Sequence, residues 1–489
     1  MNASRSIAGL LASLAVAASA AAQPDNRPLP HGALPTPAQV AWHRLEFYGF
    51  IHFGVNTFTD REWGMGDEDP AILAPTALDC RQWAKVAKSA GMKGLILTAK
   101  HHDGLCLWPT KTTDHNITKT KIADGKGDLV GMLAQACRDE GLKFGVYLSP
   151  WDRNNANYGK PEYVTTYRAQ LEELLTGYGP LFEVWHDGAN GGDGYYGGAR
   201  ENRTIDKLSY YGWPETWALI AKLQPNAVVF SDAGPGCRWA GNERGVTSET
   251  SWQTIDNGNR APGLSYNDLD VGKEGGTHWV GVEADVSIRP GWFYHESEDS
   301  KVKSAWQLFD IWLQSVGRGS NLILNIPPDR RGLIHEIDAS NLAQLGSLLS
   351  DTFATNLAAK CTLTTSSDRD NPEYSPLKLI DGNPDTAWAA AEGEAKSYIT
   401  LMLREPREID IIRIEEMISL GQRVKSFAVS AMIDGSWQQV ASATTIGPRR
   451  VLKLAAPVTT KMVRIELNES LAPPVISEVG LYKLAPLKE

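Results

Sequence analysis

The sequence predicts a (β/α)8-like barrel followed by an all-β sandwich. Three observations carry that prediction. Up to about residue 350, short apolar runs stop repeatedly at polar, chemistry-capable residues. Helix-like stretches follow most of these stops. After about residue 353 the helical pattern ends and short strand-like runs continue between turn residues.

The apolar runs come in order. Gly49-Phe50-Ile51 stops at His52, and Leu95–Ala99 leads into Lys100-His101-His102-Asp103-Gly104. Phe144–Leu148 stops at Ser149, Phe182–His186 at Asp187-Gly188, Val228–Ser231 at Asp232, and Leu322–Leu324 at Asn325. Strand starts near residues 47, 94, 144, 181, 227, 286 and 320 leave one barrel strand unplaced, and Thr247–Ile255 is its expected position. Helical spacing runs over Leu78–Ala90, Asp128–Glu140, Tyr163–Tyr178, Trp213–Leu223 and Ser304–Val316. Gly91, Gly141 and Gly317 follow three of these, where a helix stop favours positive φ. An open doubly wound sheet is the alternative. It gathers its site at one switch point, whereas here chemistry-capable residues end strands throughout.

The later strands are Tyr398–Leu403, Ile409–Ile414, Phe427–Ser430, Trp437–Val440, Val463–Leu467 and Val479–Tyr482. Such runs without helices read as a β-sandwich. The expected domains are an export signal over 1–22, a barrel over 23–352 and a sandwich over 353–489. The signal rests on Arg5, an apolar run from Ile7 to Ala18 and small residues up to Gln23. It places the protein in a periplasm or outside the cell. No later stretch has the length of a membrane span. Five scattered cysteines (Cys80, Cys106, Cys137, Cys237, Cys361) form neither a disulfide framework nor a metal-spacing motif.

A net charge of −10 argues against nucleic acid as a partner. The 16 Trp and 15 Tyr suit a sugar, whose apolar faces and polar rims both match such rings. Asp187 is the foremost nucleophile candidate; its rival reading is a structural cap for the next turn. Converging His52, His101 and His102 suit sugar hydroxyls or, alternatively, a metal. Adjacent His101 and His102 point to opposite faces if extended, which weakens the metal reading. Glu243, in a loop after the fifth expected strand, is the acid candidate, with Glu249 as its rival. Asp232, Arg238, Arg289 and Trp292 follow other strand ends.

His52-Phe53-Gly54, Glu62-Trp63, Lys100–Gly104, Gly145-Val146-Tyr147, Glu183–Gly188 and Asn321–Ile326 occur in that order. Together they resemble the α-L-fucosidases of glycoside hydrolase family 29, over about residues 40–340. Asn56–Gly64 and Asp285–Phe293 resemble the branch acting on α-1,3/1,4-linked fucose. The resemblance implies a retaining hydrolase with Asp187 as nucleophile and Glu243 as acid/base. It implies sugar contacts from His52, Glu62, Trp63, His101, His102, Tyr147, Trp185 and Arg238, and Trp292 is placed over the sugar's C6 methyl. It calls for no metal and no cofactor, and for a fucosylated oligosaccharide or glycoconjugate as partner. Many relatives have Phe where this chain has His186, on the far face of the strand from Asp187. Leu379–Trp388 and Ile476–Tyr482 resemble discoidin-like, galactose-binding-like sandwiches. A simpler or α-1,2-linked fucoside remains an alternative substrate. A catalytically silent fucose-binding protein is the alternative outside the enzyme class.

Overall fold

The computed structural model describes residues 26–256 and 260–487, so the expected export signal lies outside the described residues. Eight parallel strands close into a barrel: β1 Phe47–Ile51, β2 Gly94–Lys100, β3 Lys143–Leu148, β4 Glu183–Trp185, β5 Val228–Ser231, β6 Cys237–Trp239, β7 Gly281–Ser287 and β8 Asn321–Asn325. Each strand pairs with its neighbours in sequence, and β8 returns to β1 with Phe47 opposite Leu322. Helices cover the outside, so the strands are buried on both faces and read as near-continuous apolar runs.

The strand left unplaced by the sequence is β6, and it is not at Thr247–Ile255. Thr254–Ile255 pairs only with His278–Trp279 in a small antiparallel ribbon. The barrel strand is Cys237–Trp239, joined to β5 by a short turn with no helix. Glu243 therefore follows the sixth strand, not the fifth. Strand β7 also begins earlier than expected, at Gly281.

The expected helices form with small shifts, among them α3 Cys80–Ser89, α4 Leu129–Glu140 and α6 Trp213–Leu223. (Two short helices, Pro37–His43 and Val55–Thr59, precede them as α1 and α2.) Asp79 and Asp128 cap α3 and α4 by accepting backbone N–H groups, and Gly141 ends α4 in the left-handed region. The remaining helices are α5 Pro161–Gly177, α7 Ala305–Gln314 and α8 Glu336–Phe353.

The sandwich is wholly antiparallel. Its strands are β9 Thr362–Thr365, β10 Trp388–Ala389, β11 Ser397–Glu416, β12 Val424–Ile433, β13 Ser436–Ala443, β14 Arg450–Ser470 and β15 Val475–Tyr482, ordered β10-β15-β11-β14-β12-β13 with β9 on β11. Two expected runs, Tyr398–Leu403 and Ile409–Ile414, are parts of the single long strand β11. Its register with β14 breaks between Met402 and Arg407. The two bodies exchange ends. His31 N–H donates to Leu420 O (3.0 Å) on the sandwich, and Ala485 N–H donates to the Thr352 hydroxyl (3.1 Å) in α8. No helix among the described residues is long and apolar enough to cross a membrane. The five cysteines are unpaired thiols, four of them buried.

Helix α8 packs so closely on the end of α3 that a Cβ on Gly346 would lie 1.8 Å from Ser89 O. The Gly346→Ala variant is expected to lose about 1–3 kcal/mol through overpacking. Urea denaturation followed by tryptophan fluorescence should show this as a lower midpoint; an unchanged midpoint would refute it.

Candidate active site

The C-terminal ends of the barrel strands open into a cavity of about 240 Å³. This is the face on which barrel enzymes place their chemistry. It holds Asp187, Glu243, His52, Glu62, Trp63, His101, His102, Tyr147, Trp185 and Trp292. Of the residues that the resemblance implies at the site, Arg238 alone is not among them.

Asp187 sits two residues past the end of β4. Its carboxylate accepts the Tyr147 hydroxyl (2.8 Å) and the Ala189 N–H (2.6 Å), and His102 Nε2 lies 3.8 Å away. Burial raises its pKa, and the two donors oppose that rise. Gly188 is needed beside it, because a Cβ there would lie 2.6 Å from the Asp232 carboxylate. His186 points out of the barrel, its Nδ1 2.8 Å from the Tyr167 hydroxyl.

The hydrogen bonds around His52 and His102 assign their protons. Ser149 donates its single hydroxyl hydrogen to Trp151 O, so it accepts from His102 Nδ1 (2.8 Å). Asn325 donates through its amide nitrogen to Ser287 Oγ and Trp292 O, so its oxygen accepts from His52 Nδ1 (2.8 Å). His52 and His102 therefore offer bare Nε2 acceptors. At His101 the Asn56 amide nitrogen lies 3.5 Å from Nδ1 and 3.4 Å from both Glu62 O and Asp103 Oδ2, three acceptors for its two hydrogens. Burial, with an opposing bond from Asn325, lowers the His52 pKa to about 3. Burial and the nearby Arg153 and Lys100 lower that of His102 to about 3. All three rings are neutral near pH 7.

Both His101 and His102 reach the cavity because β2 ends at Lys100. The pair lies in a turn where strand alternation no longer applies, with ring centroids 4.1 Å apart. Among the described residues, the one metal-sized group of ligand atoms is Glu183, Cys237 and Glu283, not these histidines.

Trp185 lines the inner wall. It stacks on Phe230 at 4.0 Å, and its indole N–H donates to Glu283 (2.9 Å). Trp63 stands at the mouth, 51% exposed. Trp292 hangs from Glu62, which accepts the backbone N–H groups of Trp292 (2.8 Å) and Phe293 (3.2 Å). Its indole N–H reaches the Glu243 carboxylate at 3.3 Å. Glu243 is on the rim, and its pKa is raised by partial burial and by Asp187 and Glu62, against the Trp292 bond.

The rival Glu249 is elsewhere. It pairs with Arg318 and Arg450 where the barrel meets the sandwich. Arg238 is fully buried and donates to the carbonyls of Leu269 (2.8 Å), Trp252 (2.8 Å) and Val280. It cross-links loops behind the cavity wall and makes no sugar contact from there. Arg289 pairs with Asp338 (2.8 Å) and Asp299 (2.8 Å), so it too is structural.

Asp232, Trp239 and Asp285 also line the cavity, with Phe50 and Phe230. Burial raises the Asp232 pKa to about 7, and one of its oxygens has no hydrogen-bond partner. Asp285 accepts the Trp239 indole N–H (2.8 Å). Its signal in the sequence is its parity, two residues before Ser287 on the inward face of β7.

His295 bridges Asp60 (2.7 Å) and Glu62 (2.7 Å) beneath Trp292. Burial lowers its pKa, but the bonds to both carboxylates outweigh this and the net shift is upward from 6.5. The stabilisation is present in full below the unfolded value and is lost as pH rises through the higher folded value. The melting temperature is expected to fall as pH rises through that window. In His295→Gln that part of the decline should be absent; identical pH profiles would refute the bridge.

The match to known proteins covers both bodies. Residues 67–352 match the Alpha-L-fucosidase family model, and residues 362–478 match the F5/8 type C domain. Alpha-L-fucosidase 1 of Arabidopsis thaliana is 40% identical over 461 residues, covering 93% of this chain and 88% of that protein. A glycoside hydrolase 29 family member from an unknown rumen bacterium superposes with a TM-score of 0.85 at 42% identity, covering 94% of this chain and 79% of that one. A Ruminococcus gnavus GH29 fucosidase solved in complex with fucose gives 0.84 at 30% identity, covering 94% and 96%. With this barrel, this cavity and these relatives, the chain belongs to the alpha-L-fucosidase family of glycoside hydrolases and carries an F5/8 type C domain behind its catalytic barrel.

Proposed function

We propose that the enzyme releases α-1,3/1,4-linked fucose from branched, Lewis-type glycans by a retaining mechanism, with Asp187 as nucleophile and Glu243 as acid/base. The observation that carries this is the unlike placement of two carboxyl groups in one cavity. Asp187 is held rigidly by two donors inside, and Glu243 hangs over the rim with a raised pKa. A nucleophile needs the first environment and a general acid the second.

In the first step an Asp187 oxygen bonds to the anomeric carbon as the glycosidic bond breaks. The Glu243 proton goes to the leaving oxygen. In the second, the Glu243 carboxylate takes a proton from water, whose oxygen attacks the same carbon and expels Asp187. The bare Nε2 atoms of His52 and His102 accept hydrogen bonds from sugar hydroxyls, and His101 lies beside them in the same cavity. Trp185 and Trp292 supply apolar faces, Trp292 toward the C6 methyl. At about 240 Å³ the cavity is below the roughly 300–1,000 Å³ of drug-sized pockets and suits one sugar ring.

The linkage reading rests on the motif resemblance and on a second cleft. That cleft, of about 520 Å³, shares Asp232 and Trp239 with the cavity and adds Asn242, Arg244 and Tyr266. It suits the remaining sugars of a branched substrate. Export through residues 1–22 belongs to the same proposal.

Asp187→Ala is expected to lose all detectable turnover of a Lewis trisaccharide. Glu243→Ala is expected to lose roughly 10²–10⁴-fold, the usual contribution of a positioned acid–base group. Proton NMR of the first fucose released is expected to show the α anomer; the β anomer would exclude retention. Equal rates on an α-1,2-linked fucoside would sink the linkage reading while leaving the mechanism intact.

A further inference from the structure

We infer that the sandwich positions the general acid: its loops at Gln422 and Thr444–Thr445 hold the segment that carries Glu243, with Gln422 and Thr445 as positioning residues. The inference rests on the reading of Glu243 as acid/base.

The segment from Ala240 to Gln253 joins β6 to the small ribbon and has no helix or strand of its own. Its first half is tied to the barrel. Ala240 N–H donates to Glu283 O (2.8 Å) and Gly245 N–H to Asp285 O (2.9 Å). Its second half is tied to both bodies: Thr247 N–H donates to Gln314 O (3.0 Å) and Trp252 N–H to Val271 O (2.8 Å) on the barrel side, and residues 249, 251 and 253 are held by the sandwich. Ser251 N–H donates to Thr445 Oγ1 (2.9 Å), and Gln253 N–H donates to Gln422 Oε1 (2.8 Å). Gln422 returns a bond from Nε2 to Ser251 O (2.9 Å). The carbonyl of Glu249 accepts from Thr444 Oγ1 (2.7 Å) and from Arg450 Nη1 (2.7 Å).

These bonds connect back to Glu243. The Glu249 carboxylate pairs with both Arg450 and Arg318, and Arg318 Nη1 donates to Thr247 O (2.6 Å). One residue earlier, Val246 O accepts from Asn242 Nδ2 (2.9 Å), beside Glu243 itself. The anchors are rigid in turn. Buried Glu416 accepts the N–H groups of Arg423 (2.7 Å), Val424 (3.0 Å) and Gly447 (2.7 Å), joining both sandwich loops at their bases. A carboxyl on an irregular loop needs such support, because misplacement by about 1 Å can cost on the order of 10²-fold in rate.

Loss of a well-placed acid matters when the leaving group is basic and little when it departs unassisted. The test compares full-length wild type, Gln422→Ala, Thr445→Val, Thr445→Ser and Glu243→Ala on two substrates. One is a Lewis trisaccharide, with an alcohol leaving group. The other is 2,4-dinitrophenyl α-L-fucoside, with an acidic phenol. Gln422→Ala and Thr445→Val are expected to lose roughly 10-fold or more in kcat/KM, which reports the acid-assisted first step, on the trisaccharide and less than about 3-fold on the aryl fucoside. Thr445→Ser keeps the hydroxyl and is expected to match wild type. Equal losses on both substrates, or none on either, would overturn the inference. Glu243→Ala separates the two readings. If it does not discriminate between the substrates, the acid/base reading fails and this inference falls with it. If it discriminates and the sandwich variants do not, only the positioning role fails. Should Gln422→Ala not fold, Thr445→Val against Thr445→Ser decides the question.

Discussion

Two carboxyl groups, Glu183 from β4 and Glu283 from β7, meet inside the barrel beneath the cavity. Burial raises both pKa values, that of Glu183 to about 7. Repulsion from Glu183 adds to the rise at Glu283, which lies well above the usual carboxylic range. Two charges in that space would be far more costly than one shared proton. The pair is tolerated because donors surround it. The Trp42 indole N–H reaches Glu183 (2.8 Å), the Tyr48 hydroxyl lies between the two acids, and the Trp185 indole N–H reaches Glu283 (2.9 Å). This network joins α1, β1, β4 and β7 across the barrel axis. Trp185 is held by its polar edge below and stacked on Phe230 beside it, so the wall of the cavity has one orientation. The position of Asp187, two residues on, depends on the same strand being fixed.

Above that network, no Lys or Arg among the described residues lines the cavity. The three histidines are neutral near pH 7, and Arg238 and Arg289 have their partners elsewhere. Asp187 is bound by neutral donors, the Tyr147 hydroxyl and one backbone N–H, which oppose the rise in pKa that burial causes. In the proposed mechanism an ion pair would hold the carboxylate in its ground state and weaken its attack. A charge held only by dipoles remains available to positive charge that develops on a sugar ring.

Much of this was legible in the sequence because barrel strands end where chemistry sits. Asp187 and His186 were separable by parity alone: one faces in, the other rests on Tyr167. The same rule explains the errors. Strand β6 has no helix before it, so the alternation that marks the other strands is silent there. Once Cys237–Trp239 is a strand with Trp239 facing the cavity, Arg238 must face outward. Reading that stretch as a loop hid both facts. His101 and His102 both face the cavity, as expected, although parity would part them, because β2 ends at Lys100 and alternation stops there. Composition does not rank Glu243 against Glu249; the cavity position and Trp292 contact of Glu243 and the ion pairs of Glu249 at the domain junction separate them.

The helix-free turn between β5 and β6 leaves a stretch of barrel wall without its usual buttress. The arm before β1 covers it instead: Gln39 Nε2 donates to Gly236 O (2.8 Å) and Trp279 O (2.9 Å), across 197 and 240 residues of chain. On a ribosome that arm emerges early and its partners late. The first strand and its arm must wait, apolar side chains unsheltered, until β6 and β8 have been made. Ordering of the barrel is therefore tied to the end of its own synthesis, and the waiting interval is when the nascent chain most needs protection from aggregation.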